Sequence, residues 1–495
     1  MAFRNILIYC IYYIMENASG IPQALSYSLN TLQGTSFNSF ELAPSTGTSS
    51  VSPNGQIRFL LPNVGLLDMK SSKMTFSVTT TASTGARLPA HTDSLFSRLE
   101  VKAGGVSIYS GSNFHNVLEN IKYNMGVKTA CGVTGHADVL DAGDHEGKYT
   151  GGAGTSESYA ALGAANNLFS VDLGDMAAIQ PRLLDVSLLP SLEIILTVAD
   201  THAIASIKQG AIGTGGTDGT GTAHASSASA TFAITNPRMY VNMYSLASGA
   251  YQQAIRARMS DVGYLSLCYD SNICFNSNFT GSSRFSISAM SLKRLTAVFR
   301  KTSATTVGAL VPIVGHAKAD HDGDGAVYGI FGSSLLDKAG TAKYQVKSQQ
   351  FCLPTADPAH GDSNETNALG LYDATTPCNL LFKLQSAQCP QYFAGVDQQA
   401  ELTKLAYNVE KFGKAEIMPQ YLTNYHAFAI PLELPVSPYD KKTISGLNSN
   451  STNMFVELTS NGANVDTAGH YDVFIFATID TILRVGEGKA IEVLN

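Results

Sequence analysis

Residues 91–94 read His-Thr-Asp-Ser, which places a histidine, an aspartate and a serine within four positions. These are the side chains of a hydrolytic triad, where an acid orients the base and the base takes the serine proton. Such a triad must converge on one point, and its members come from different elements. If the stretch leads into a strand, alternation sends Ser94 to the face opposite His91 and Asp93. No G-x-S-x-G elbow occurs in the chain. Polar residues after Pro89 make an ordinary approach to a strand, so "HTDS" is expected to be polar punctuation.

The sharpest metal-like stretch is "DHDGDG", where Asp320, Asp322, Asp324 and Gly325 match the first half of a calcium loop. Its twelfth position should carry a bidentate glutamate and carries Phe331 instead, with no amphipathic helix alongside, which excludes an EF-hand. Two readings stay open, a looser Ca²⁺ loop and a solvated acidic turn. "GHADVLDAGDHEG" gathers His136, Asp138, Asp141, Asp144, His145 and Glu146, yet Tyr149 stands where H-E-x-x-H needs its second histidine. An exposed loop is expected there. "GEGKA" (486–490) and "FGKAE" (412–416) place alanine after Gly-Lys and lack the upstream glycine of a phosphate loop. Seven scattered cysteines form no C-x-x-C and read as free thiols. No catalytic residue, cofactor or metal is assigned.

The elements that carry these residues read as strands. In "KMTFSVTT", Met74, Phe76 and Val78 share one face. Leu95, Leu99 and Val101 do so before a turn at Gly104-Gly105, as do Leu192, Ile194, Leu196 and Val198. Further on, Phe428, Ile430, Leu432 and Leu434 alternate in "AFAIPLEL", and Met454, Val456 and Leu458 in "NMFVELT". "YDVFIFATIDTILRV" is apolar on both faces and predicts a central strand. Helices are few. "SNFHNVLENIKYNMG" has helical spacing, with Ser112 or Asn113 as cap and Gly126 as stop, and 245–260 is a second candidate.

Three stretches poor in large apolar residues, 127–167, 200–230 and 302–342, are expected to be long surface loops on a rigid scaffold. The order strand, outward loop, returning strand occurs at 191–246 and again at 453–485. Two β modules of similar size are therefore predicted over 21–255 and 256–495, preceded by an arm at 1–20.

Composition agrees. Hydrophobic residues make up 44% of the 495 and charged residues only 14%, as suits strands joined by uncharged loops. With a net charge of −7 and no basic block, direct nucleic-acid binding is not expected. The apolar run Ile6–Met15 is shorter than the roughly 20 residues of a membrane span. A start at Met15, leaving residues 1–14 untranslated, ranks first, a membrane or partner anchor second, and a secretory signal last.

In order, these features resemble the double jelly-roll major capsid proteins of tailless double-stranded DNA viruses, the lineage of large eukaryotic DNA viruses and virophages. "IRFLLPNVGLLDMKSSKMTFSVTTT" and "LPAHTDSLFSRLEVKAGGVSIYSGSNFHNVLENIKYNMG" look like the family's early strands and the helix after them. "LLPSLEIILTVA" is similar to the late strand of its first barrel. "SRFSISAMSLKRLTAVFR", "KYQVKSQQFCLP", "YHAFAIPLELPVSPYDKKTISGLNSNSTNMFVELT" and "YDVFIFATIDTILRVGEGKAIEVLN" follow in the family's order over the second half.

The resemblance implies an all-β chain of two tandem jelly-roll β-sandwiches with long loop insertions and a few short helices. It implies a structural role in the virion, assembled inside the host cell as a homotrimeric, pseudo-hexagonal capsomer that contacts neighbouring capsomers in an icosahedral shell. The loops would form its outer crown, and the N-terminus would face minor capsid proteins or an internal membrane. The competing class is a carbohydrate-binding β-sandwich protein or secreted glycan-active enzyme. That class favours exposed tryptophan platforms, and the chain has no tryptophan.

Overall fold

The computed structural model describes residues 35–80, 86–87, 91–111, 113–127, 169–200, 205–206, 232–246, 249–301, 317–318, 327–329, 335–336, 351–355, 378–415, 418, 421–422, 425–433, 446–450, 454–462, 465–469 and 471–495. The N-terminal arm, most of the three expected loops, Asp320, Asp322 and Asp324, and the cluster at 136–146 lie outside the described residues.

Eight main strands build the first half: β1 (Thr35–Leu42), β2 (Gln56–Leu60), β3 (Leu66–Thr80), β4 (Phe96–Ala103), β5 (Val106–Ser110), β6 (Phe169–Val171), β7 (Leu192–Val198) and β8 (Phe232–Leu246). Eight more build the second: β9 (Tyr264–Phe279), β10 (Ser282–Ile287), β11 (Leu292–Lys301), β12 (Asn379–Leu384), β13 (Ala387–Ala394), β14 (Phe428–Pro431), β15 (Met454–Asn461) and β16 (Tyr471–Gly486). A tail strand, Ile491–Leu494, pairs back on β16. Helix α1 (His115–Met125) follows β5, α2 (Gly249–Val262) joins the halves, and α3 (Val396–Tyr407) follows β13.

The first half forms two antiparallel sheets, ordered β1-β8-β3-β6 and β2-β7-β4-β5. The second half repeats both orders eight strands later, as β9-β16-β11-β14 and β10-β15-β12-β13. Two sheets with these crossed connections, packed face to face, are a jelly roll, and this chain contains two.

Alternation builds both cores. Met74, Phe76, Val78, Leu99 and Val101 are fully buried in the first, with the Phe76 and Phe96 rings edge to face at 5.3 Å. Phe96 and Leu99 both point inward because the register of β4 shifts against Thr197 and Val198. The β4–β5 hairpin turns at Gly104 (φ +56°) and Gly105 (φ +86°), the two positive φ values that a tight primed turn requires. In the second core, Val473, Ile475, Ala477 and Ile479 of β16 face inward, as do Val456 and Leu458 of β15.

Two expectations change and a third is extended. Helix α1 runs to the expected Gly126 stop (φ +82°), but its N-cap is Phe114, not Ser112 or Asn113. Helix α2 starts at Gly249, because Ser245 and Leu246 still belong to β8. In 428–431, Phe428 and Ile430 face the second core as expected, and Ala429 on the opposite face is buried too, since α3 covers the strand's back and Thr403 Oγ1 accepts the Ala429 N–H at 3.0 Å.

A third apolar cluster lies between the sandwiches. Val117, Leu118, Ile121 and Met125 of α1 pack on Phe474 and Phe476, the residues of β16 that face away from its own core. Burying each such side chain is worth about 1.5–3 kcal/mol. Conversely, Leu267, Tyr269, Leu483 and Val485 of the second half enter the first core. Gln180 and Cys268 add a backbone bridge, with N–H···O distances of 2.9 and 3.0 Å. Each half thus completes the other's burial.

Candidate functional site

The residues with the most chemical potential gather at this joint. His91 to Ser94 lead into β4 as a buried turn. Thr92–Leu95 is a 3₁₀ turn, and His91, Thr92, Asp93 and Ser94 are all at most 2% exposed. The turn closes through the Ser94 N–H to the His91 carbonyl at 3.1 Å. Thr92 Oγ1 donates to the Ser170 carbonyl at 2.9 Å, which ties the turn to β6. The His91 ring stacks on Tyr123 of α1 at 3.9 Å with an interplanar angle of 4°.

Ser94 Oγ accepts the Asn120 Nδ2–H at 2.7 Å, so an amide holds the hydroxyl that a triad would activate. Asp93 Oδ1 stands 4.0 Å from His115 Nε2, a neighbour across the turn rather than within the tetrapeptide. The geometry locks α1 to its own sandwich. The sequence reading made these residues the polar approach to a strand; they do lead into β4, and the structure buries them in the core.

One turn along α1, Lys122 Nζ donates to Glu119 Oε1 and to Asp175 Oδ1, both at 2.7 Å. Asp175 Oδ2 accepts from Asn272 Nδ2 at 2.6 Å, and Asn272 Oδ1 accepts from Thr478 Oγ1 at 2.7 Å. The chain of bonds therefore runs from the first half's helix to β9 and β16 of the second. Burial opposes the Lys122 charge, but the carboxylates of Asp175 and Glu119 outweigh it and hold the ammonium above an ordinary lysine. Burial pushes the Asp175 carboxyl upward against the pull of Lys122. The carboxylate oxygens of Asp93, Glu119 and Asp172 also lie within 4.8 Å of one another. Glu119 already has its cation in Lys122, and Asp172 Oδ1 accepts the Gly174 N–H at 2.9 Å. The arrangement works as an ionic lock.

The second half has a smaller counterpart at α3. Gln399 Nε2 donates to the carbonyls of Cys378 (3.1 Å) and Ala394 (2.9 Å), which leaves Oε1 to accept from His426 Nε2 at 2.9 Å. Burial pushes the His426 imidazole down to about 3. The two phosphate-loop look-alikes resolve into structure. Glu487–Lys489 is an exposed turn before the tail strand, and Gly413 lies against Gly126 at the end of α1.

None of Glu119, Lys122, Asp175, Asn272, Gln399 or His426 was singled out from sequence. The available signal was Glu119 and Lys122 at i,i+3 in a helix that also carries the apolar Val117, Leu118, Ile121 and Met125.

The chain matches no family model and no curated protein. Among solved structures, it is similar to the PBCV-1 virus capsid, with TM-score 0.50 and 11% identity over 93% of this chain and 97% of that one. The fold is the double jelly roll. The Faustovirus major capsid protein (TM-score 0.48, 10% identity, 96% of each chain) and the mavirus major capsid protein (0.44, 10%, 96% of this chain and 94% of that one) are further similar structures. At such identities, the likeness is one of architecture, and strand order together with the joint carries the functional reading.

Proposed function

We propose that the chain is a major capsid protein, a structural subunit without catalytic role that resides in the virion shell. Three copies unite around a three-fold axis, so that six sandwiches form a pseudo-hexagonal capsomer that tiles an icosahedral lattice with its neighbours. The first sandwich spans 21–255 and the second 256–495, with the boundary inside α2. The N-terminal arm faces inward, toward minor capsid proteins or an internal membrane.

The observation that supports this reading is the repeat of strand order at an interval of eight, across a joint that is buried on both sides. A tile needs walls of like shape at a fixed angle. The double core, the ionic lock and the backbone bridge fix that angle, where a polar linker would leave it free. Low charge supports extensive self-association, because charged groups are depleted from interface cores.

Size-exclusion chromatography with light scattering tests the proposal. The expected result is a salt-resistant trimer, as for a large apolar interface. A monomer that binds glycans would instead support the carbohydrate-binding class.

A further inference from the structure

The two sandwiches are equivalent, but their helices are not equally covered. Every described side chain of α1 is buried except Asn116, because α1 lies across the outward face of β16 and β11 in the next sandwich. Helix α3 follows β13 as α1 follows β5, yet Asp397, Glu401, Leu405 and the C-cap Asn408 form an exposed stripe along one side, with Leu405 62% exposed. Among the described residues, the outward face of β1 and β8, in the sheet equivalent to the one that α1 covers, is partly open, whereas Asp68 and Thr75 on the outward side of β3 are buried. Phe37 is 55% exposed there, Tyr244 packs on it at 5.3 Å, and Arg238 pairs with Glu41 at 3.4 Å.

We propose that α3 of one copy docks on the outward face of β1 and β8 of a second copy, repeating between chains the contact that α1 makes within the chain. Chemistry favours the match. The acidic Asp397 would meet Arg238, while Glu401 keeps its own cation in Lys404 at 2.7 Å, and Leu405 would meet the Phe37 and Tyr244 rings. Aromatic residues and arginine are the types enriched at interfaces. The contact is head-to-tail, so it closes into a ring or continues as a filament. Closure at three copies gives the trimer, and this inference rests on that reading.

A photo-crosslinker, p-benzoylphenylalanine, placed at Leu405 tests it in the full chain. Mixing isotopically heavy and light chains separates links between copies from links within one. The expected result is an inter-copy link to residues 35–42 or 238–244. Leu405→Arg should raise the concentration for half-association at least tenfold with an unchanged circular dichroism spectrum. A trimer whose links land elsewhere, or whose association ignores Leu405→Arg, overturns this interface and leaves the capsid reading standing. A chain that stays monomeric at every concentration overturns both.

Discussion

Gly413 lies so close to Gly126 that a Cβ built on Gly413 would stand 2.7 Å from the Gly126 Cα. The same methyl would meet the Tyr123 carbonyl at 2.8 Å, and the Gly413 N–H donates to the Asn124 carbonyl at 3.0 Å. The backbone of the second half is thereby fastened to the end of the first half's helix. All these neighbours are main-chain atoms, so no side-chain rotation can make room.

Gly413→Ala should therefore destabilise the chain by about 1–3 kcal/mol, the usual cost of overpacking. Urea denaturation checks this. Stability equal to that of wild type would show that the two backbones separate freely.

Lys122 bridges Glu119 and Asp175, at 2.7 Å from each carboxylate. Lys122→Met leaves two buried carboxylates facing each other, and breaking a buried pair on one side costs about 3–5 kcal/mol. Removing the charges together, in Lys122→Met with Glu119→Gln and Asp175→Asn, should recover most of that loss. Chemical denaturation of the single and triple variants reads the difference. A single variant within about 0.5 kcal/mol of wild type would mean that the lock does not hold the joint.

His426 sets an acid limit. Its folded imidazole titrates near 3, whereas an unfolded histidine titrates near about 6.5. Below the unfolded value only the unfolded chain takes the proton, so this contribution is complete above pH 6.5 or so and is lost as pH falls toward 3. The slope is up to about 1.4 kcal/mol per pH unit. Wild type should lose about 2–3 kcal/mol relative to His426→Gln between about pH 7 and 4.5. Denaturation series at both pH values test this, and parallel losses in the two proteins would contradict it.

Strand faces were legible from sequence where one side of a sheet meets a core and the other does not. Met74, Phe76 and Val78 announce themselves in this way, and so does the two-faced burial of β16. Helix α1 was legible through its apolar spacing and Gly126. Helix α3 was not, because the face it buries consists of Gln399, Ala400, Thr403, Ala406 and Tyr407, which carry no apolar period. The fate of "HTDS" was hidden for a different reason. Its partners, Asn120 and Ser170, lie 26 and 78 residues away from Ser94 and Thr92, and local pattern carries no trace of them. Repeat architecture was legible as an order of strands and loops, whereas the joint that makes it rigid exists only in three dimensions.

The central claim is that one chain supplies two fixed walls and three chains supply six. Electron microscopy of the purified protein tests it most directly. The expected image is a particle of three chains with a hexagonal outline and six densities around a three-fold axis. Single particles of one chain, or pairs of densities at varying angles, would contradict it.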